Sequence, residues 1–313
     1  TSDIWPADTT KMSFSRLHIG FGDADIENAD TLQFRWIGSC LWVDKFALMQ
    51  RQNSDARVVM NGVIDALDSS NLVVTVDKLN SKSFAPFVNF EMPKAICCAA
   101  LHLTGSPNAH HITLSTQFDS IRYNGIFIHR VMQSGVITNQ ALDLETGILN
   151  QAGDRLSVVL HSRHNLRQDS MRFTMMQNPT LTLESSADNL MLRSVVPATS
   201  GYQVSNGLLS YHLLLSGDPT NPNVDGFARI RDAAFRIPSA GVDFSRLNTD
   251  IRASGATITV DSLSVGSGKG LLKIAGALSF VGGVLSPVKS FDMALKANDF
   301  RISRRNYYDF TFD

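Results

Sequence analysis

Cysteine is scarce, with 3 in 313 residues, and that excludes a disulfide framework. Cys97 and Cys98 are adjacent, so on a strand they would point to opposite faces, and Cys40 stands alone. The expectation is buried or half-buried thiols. A charge excess of either sign is also missing. The chain carries 28 Lys and Arg against 29 Asp and Glu, a net charge of −1. A chain that grips nucleic-acid phosphate normally carries a strong basic excess, so nucleic acid is excluded as the main partner. Long apolar runs are absent too: nothing reaches the roughly 18 consecutive apolar residues of a membrane-spanning helix. No secretory signal opens the chain at Thr1. The opening "TSDIWPADTT" reads as the middle of something, and the closing "NYYDFTFD" ends inside an alternating pattern. The chain is therefore expected to be a fragment, with any signal or anchor outside it.

Catalytic and metal-binding patterns are equally thin. His110 and His111 would face opposite ways on a strand, as would His161 and His164, and no cysteine or carboxylate cluster completes a set of four ligands. Asp143 and Glu145 share one strand face and form the best carboxylate pair, but acids on an exposed strand face are common. A glycosidase would hold such a pair across a cleft. No G-x-S-x-G elbow occurs. The residues predict no enzyme, no cofactor and no metal.

What the chain does have is apolar content, 43% hydrophobic against 18% charged, which is a globular composition. It is arranged with period two, the spacing of half-buried strands. In "LVVTVDKL" Leu72, Val74 and Val76 share a face; in "HITLSTQF" Ile112, Leu114 and Phe118 do. In "LLKIAGALSF" the set is Leu272, Ile274, Leu278 and Phe280, and in "FDMALKANDF" it is Phe291, Met293 and Leu295. Turn signals separate such runs: Asp68-Ser69-Ser70-Asn71, Asn124-Gly125, Ala152-Gly153-Asp154, Gly217-Asp218-Pro219, Ser267-Gly268-Lys269-Gly270 and Gly282-Gly283. They supply the positive-φ or Asx geometry of tight turns. Pro238 should close the strand before it, because proline cannot donate to a ladder. Gly226 and Gly276 mark places where a sheet bends or two backbones approach closely. The stretch "FAPFVNFEMPKAICCAALHL" is ambiguous: Pro86 and Pro93 argue against a long helix, while "PKAICCAAL" leaves room for a short helical turn. The pattern predicts an all-β fold. A propeller would need a repeat near forty residues, and neither that nor a strict β-helix repeat is visible.

The segment "LLLSGDPTNPNVDGFARIRDAAFRIPSAGVDFSRLNTDIRASGATITVDSLSVGSGKGLLKIAGALSF" resembles the C-terminal region of the TamB family of bacterial envelope proteins. Gly217, Pro222, Gly226, Phe235, Ile237, Pro238, Gly241, Phe244, Leu247, Leu263, Gly268, Gly270 and Gly276 carry the match. The following "FDMALKANDFRI" is similar to a further family strand through Phe291, Asp292, Ala297, Asn298 and Phe300. Residues 112–165 are similar in style to repeats of the wider AsmA-like superfamily. The resemblance divides the chain into an AsmA-like segment, residues 1–205, and a TamB C-terminal-like segment, residues 206–313, as one continuous body. It implies an elongated, twisted, antiparallel-rich sheet folded into an open apolar groove. Each strand would add about 4.8 Å, so roughly twenty strands would give on the order of 100 Å of trough.

The function implied is intermembrane transfer of phospholipid acyl chains across the periplasm of a diderm bacterium, on a body anchored in the inner membrane by a segment outside these residues. The lining expected is Leu213, Leu215, Ile258, Val260, Leu272, Ile274, Leu278, Phe280, Phe291, Met293 and Leu295. Ile112, Leu114, Phe118, Leu156, Val158 and Leu160 follow. Two other functions fit the same grammar. One is a scaffold for outer-membrane protein assembly that pairs its edge strands with an Omp85-type barrel. The other is a closed structural or adhesive β-solenoid. Arg301, Arg304 and Arg305, beside Tyr307 and Tyr308, read either as a head-group cluster or as a polar edge that blocks aggregation.

Overall fold

The computed structural model describes residues 9–21, 24–51, 53–82, 93–123, 126–150, 153–163, 166–169, 172–175, 180–196, 201–218, 221–239, 241–282, 284, 287–301 and 311–312. The protein is all-β, with no α-helix among the described residues. Its strands are β1 (Thr9–Phe14), β2 (His18–Phe21), β3 (Ala24–Asn28), β4 (Leu32–Ile37), β5 (Cys40–Gln50), β6 (Asn53–Asp65), β7 (Ser70–Asn80), β8 (Lys94–Ser106), β9 (Ala109–Tyr123), β10 (Ile126–Thr138), β11 (Ala141–Asn150) and β12 (Arg155–Arg163). They continue through β13 (Leu166–Asp169), β14 (Arg172–Met175), β15 (Thr180–Met191), β16 (Gln203–Gly217), β17 (Asn223–Ile237), β18 (Val242–Gly255), β19 (Thr257–Ser267), β20 (Gly270–Phe280), β21 (Val288–Asn298), β22 (Phe300–Arg301) and β23 (Thr311–Phe312). Nineteen of them belong to one antiparallel sheet that does not close into a barrel, while β13–β14 and β22–β23 form separate two-stranded pairs. The chain divides into two compact units. One holds 1–122, 130–146 and 163–177; the other holds 123–129, 147–162 and 178–313.

Within the first unit, β4 to β9 run as a meander in which each strand pairs with the next. β1 pairs with β4, and β3 pairs with the last residues of β5. The ambiguous stretch resolves as strand, since β8 runs from Lys94 to Ser106 without a helical turn. Its alternation is visible in burial: Ala95 and Cys97 are buried while Lys94, Ile96 and His102 are exposed. Within the second unit, β15 to β21 form an equally regular meander. Gly268-Lys269 makes the two-residue link between β19 and β20, and β17 stops at Ile237, immediately before Pro238.

Strands of 11 to 15 residues are long for strict alternation, and several do not keep it. Among the described residues six non-glycine residues have positive φ: Lys78, Ser120, Asn189, Asp232, Arg246 and Asp299. Each is the second polar residue of an apolar–polar–polar–apolar step, as in Val76-Asp77-Lys78-Leu79 or Ile230-Arg231-Asp232-Ala233. The residue that follows is buried at Leu79 (2% exposed), Ile121 (8%), Leu190 (3%), Ala233 (2%) and Phe300 (3%). At Lys78, Asn189, Asp232 and Arg246 the step coincides with a register shift against the neighbouring strand. These are β-bulges. The extra residue resets which face the following side chains occupy, so the next apolar residue returns to the side of the one before. A left-handed conformation costs a non-glycine residue roughly 1–2 kcal/mol. Part of that is offset where the freed amide finds a partner: Asn189 N–H donates to Ser210 Oγ at 3.0 Å, Asp232 N–H to Asn248 Oδ1 at 3.0 Å, and Lys78 N–H to Cys98 Sγ at 3.4 Å.

One carboxylate ties the turns at one end of the first unit. Asp65 accepts hydrogen bonds from Cys40 Sγ (2.9 Å), Ser39 Oγ (2.7 Å) and the amides of Leu67 (2.9 Å) and Asp68 (3.2 Å). Those donors, the Cys40 thiol foremost, hold its carboxyl well below the usual range, and the same contact raises the Cys40 thiol. Because the folded value lies below the unfolded one, about 3.9, the stabilisation is complete above that pH and is lost as pH falls through the folded value. Asp65→Asn should therefore remove part of the acid-side loss of stability, with the difference from wild type fully present above about pH 4 and narrowing steadily as the pH falls below it. Denaturation midpoints measured from neutral pH downwards check this; parallel pH profiles for the two proteins would refute it.

Candidate functional site: an apolar sheet face

Antiparallel partners standing directly opposite one another lie on the same face of a sheet, so the registers fix the composition of each face. In the second unit one row runs Leu213–Gly226–Ala253–Ile258–Leu278–Phe291 from β16 to β21. The next runs Tyr211–Ala228–Ile251–Val260–Gly276–Met293, and the one after it Leu209–Ile230–Thr249–Leu263–Ile274–Leu295. Leu183, Leu215 and Val224 make a further row, and Val265, Leu272 and Ala297 another. The face is continuous over six strands and almost wholly apolar.

The opposite face is a different surface. It carries Arg229, Asp250, Arg252 and Asp225, tied in cross-strand pairs. Asp250 accepts from Arg229 Nε at 2.8 Å and Arg231 at 3.0 Å, and Arg252 meets Asp261 at 2.8 Å. Partial burial opposes ionisation of Asp250, but the two guanidiniums hold its carboxyl below the ordinary value. His212 meets Glu184 at 2.9 Å.

The first unit repeats the arrangement. One row is Met12–Phe34–Val43–Gly62–Leu72–Leu103–Ile112, and the next is Phe46–Met60–Val74–Leu101–Leu114. The Phe34 ring stands 6.2 Å from Phe14 and 6.1 Å from Phe46, both edge-on. Behind it, Arg35 pairs with Asp44 at 2.5 Å and lies over the Trp42 ring, and Arg57 pairs with Asp77. Cys97 sits on the apolar side opposite Phe118, and burial pushes its thiol up to about 11.

All the lining residues expected in the second unit fall on the apolar face. Leu213, Leu215, Ile258, Leu272, Ile274, Leu278, Phe280 and Met293 are half-buried, and Val260 is buried. Phe291 and Leu295 share the face but stand 67% and 61% exposed on β21. Ile112, Leu114 and Phe118 share the first unit's face, and Leu156, Val158 and Leu160 are half-buried along β12. The expected lining omits Phe235 and Phe244, which stack with centroids 4.8 Å apart, along with Leu263 and Val265. All four lie beyond a bulge, where parity counted from the strand's other end fails, and the two adjacent polar residues before Leu263 were the signal.

Other candidate groups do not assemble. Asp143 and Glu145 are exposed on β11, and no group of three or more metal-ligand side chains occurs among the described residues. His110 and His111 face opposite sides of β9. His164, Arg304, Arg305, Tyr307, Tyr308 and the Asn124-Gly125 turn lie outside the described residues, as do the side chain of Arg301 and Pro86. A cleft of about 570 Å³ in the first unit is lined by Gln50, Asn80, Lys94, Ser120 and Arg122 and contains none of the apolar candidates.

No family model, curated protein or solved structure matches this chain.

The rows depend on close backbone contact at two of the glycines that the sequence singled out. At Gly226 (φ +146°) a Cβ would lie 2.1 Å from the His212 carbonyl oxygen, and at Gly276 (φ +153°) one would lie 2.2 Å from that of Asp292. A side chain at either position meets rigid ladder backbone. Gly226→Ala is expected to cost roughly 2–4 kcal/mol, read as a lowered denaturant midpoint at unchanged slope. A change under about 0.5 kcal/mol would contradict the close approach.

Proposed function

We propose that this protein carries phospholipid acyl chains along its apolar sheet face, as a lipid-transfer protein of the TamB kind within the AsmA-like superfamily. The observation supporting this most directly is the continuity of apolar rows from β16 to β21, backed by an ion-paired polar face. A hydrocarbon chain in water loses about 0.8 kcal/mol for every methylene left unburied. A face whose neighbouring rows are chemically alike offers that chain the same environment at each step, so it can move without a large barrier. No residue needs to act as acid, base or nucleophile, and no cofactor enters. The polar face stays in water. The reading places the protein in the periplasm, with acyl chains passing between membranes towards the outer one. No helix among the described residues is long and apolar enough to cross a membrane.

The experiment is native mass spectrometry of the purified chain, with lipid extraction from the same sample. Co-purifying phospholipid is expected. Ile274→Asp and Leu278→Asp, each placing a carboxylate against hydrocarbon at a cost of several kcal/mol, should reduce lipid occupancy about ten-fold or more while far-ultraviolet circular dichroism stays unchanged. A folded wild-type chain that neither retains phospholipid nor takes it up from phosphatidylethanolamine–phosphatidylglycerol vesicles would overturn the reading.

A further inference from the structure

Two bulges of the first unit flank one strand, β8, at the same end. On β7, Lys78 falls between the pairs Val76–Ala99 and Leu79–Cys97; on β9, Ser120 falls between the pairs Asp119–Ile96 and Arg122–Lys94. Each bulge returns an apolar residue, Leu79 or Ile121, to the core. Each also sets its own polar residue in the lining of the cleft of about 570 Å³, a volume typical of small-molecule sites. Bulges recur where a strand re-aims a side chain towards a site.

The charges of this cleft are unbalanced. Lys78, Lys94 and Arg122 line it, and no carboxylate does among the described residues. Lys94 stands directly across from Arg122 in the β8–β9 ladder, and like charges so placed are destabilising. Among the described residues Lys94 has no ion-pair or side-chain hydrogen-bond partner. Lys78 meets Asp55 at 3.1 Å, but the two are 62% and 68% exposed, so that pair is weak. Asp119, next to Ser120, is held by Arg130 and Gln117, each at 2.6 Å. Elsewhere in this unit a cation has an acid across the ladder, as Arg57 has Asp77. The amides of the lining are arranged as donors too. Asn53 Oδ1 accepts from the Asp55 amide at 3.2 Å and Asn80 Oδ1 from the Lys82 amide at 3.1 Å, so each offers its NH2 group rather than its oxygen.

We propose that this cleft binds a phosphate ester, with Lys94 and Arg122 holding the phosphoryl oxygens and Lys78 adding a third positive charge. A phosphate supplies the counter-charge that the ladder lacks: the guanidinium meets it as a fork and the ammonium as a point charge. The Asn53 and Asn80 NH2 groups and the Ser120 hydroxyl serve the remaining oxygens. The cleft has room for more than a phosphoryl group, and Ile96, 47% exposed, gives the organic part of the ester an apolar wall. A phospholipid head group and a free phosphate monoester share this chemistry. The inference does not rest on acyl-chain carriage, because none of the apolar rows contributes to the lining.

Isothermal titration calorimetry of the whole chain at low salt, with glycerol phosphate and with monomeric dihexanoyl phosphatidylglycerol, tests it. Wild type should bind at least one of the two and lose affinity as sodium chloride is raised. A preference for glycerol phosphate makes the ligand a free monoester; a preference for the lipid makes it a head group, and either accords with the proposal. Lys94→Gln and Arg122→Gln should each weaken binding about ten-fold or more, while Lys94→Arg keeps it. Lys94→Gln also removes the like-charge confrontation, so its thermal midpoint should hold or rise, which separates loss of the site from loss of the fold. Glycerol itself should not bind. Binding of neither ester at millimolar concentration, binding indifferent to both glutamine variants, or glycerol binding as well as its phosphate would each overturn the assignment. Failure of the apolar face to retain lipid would leave a positive glycerol phosphate result standing.

Discussion

Side-chain parity is the constraint on which this molecule depends. A strand offers its residues to two faces in strict alternation, and a ladder transmits that choice to the next strand, so one slip turns a whole apolar set towards water. Over 15 residues, as in β17, a twisted strand and a strictly alternating sequence do not stay in step. The bulges settle this. In β17, Val224, Gly226, Ala228 and Ile230 lie on one face, and the extra residue at Asp232 brings Ala233, Phe235 and Ile237 to that same face. Without it Asp232, Ala234 and Arg236 would stand there instead.

Holding parity separates two kinds of energy. Apolar residues gather into rows on one side, where each half-buried side chain gains from neighbours above and below it. Charges gather on the other side as short cross-strand pairs, which contribute little individually at such exposure but leave few charges uncompensated. Glycine serves the first side only where two backbones crowd together. The result is a sheet whose two surfaces prefer different solvents.

Much of this was legible in the sequence. Period-two alternation gave the strands and, for Leu72-Val74-Val76, Ile112-Leu114-Phe118 and Leu272-Ile274-Leu278, the correct shared face. The Gly268-Lys269 link and the stop before Pro238 followed from turn chemistry. What escaped was non-local or broke the rule being applied. Phe235, Phe244, Leu263 and Val265 belong to the face only once a bulge is counted. The run Ile96–Leu101 resisted assignment because small and apolar residues occupy both of its faces, which erases the periodicity that separates strand from helix. The exposure of Phe291 and Leu295 goes with β20 being the only strand paired with β21 among the described residues, and no window of sequence encodes that.

The meander has a consequence for how the chain reaches this state. Almost every ladder in the two units joins strands that follow one another in sequence, so the contacts that close each hairpin span only a few tens of residues however long the chain becomes. Such a sheet folds like a zipper: its rate is set by the local hairpin rather than by total length, and order spreads outwards from whichever hairpin forms first. Emerging from a ribosome or an export channel, it adds one finished row at a time and presents at each moment a single growing edge.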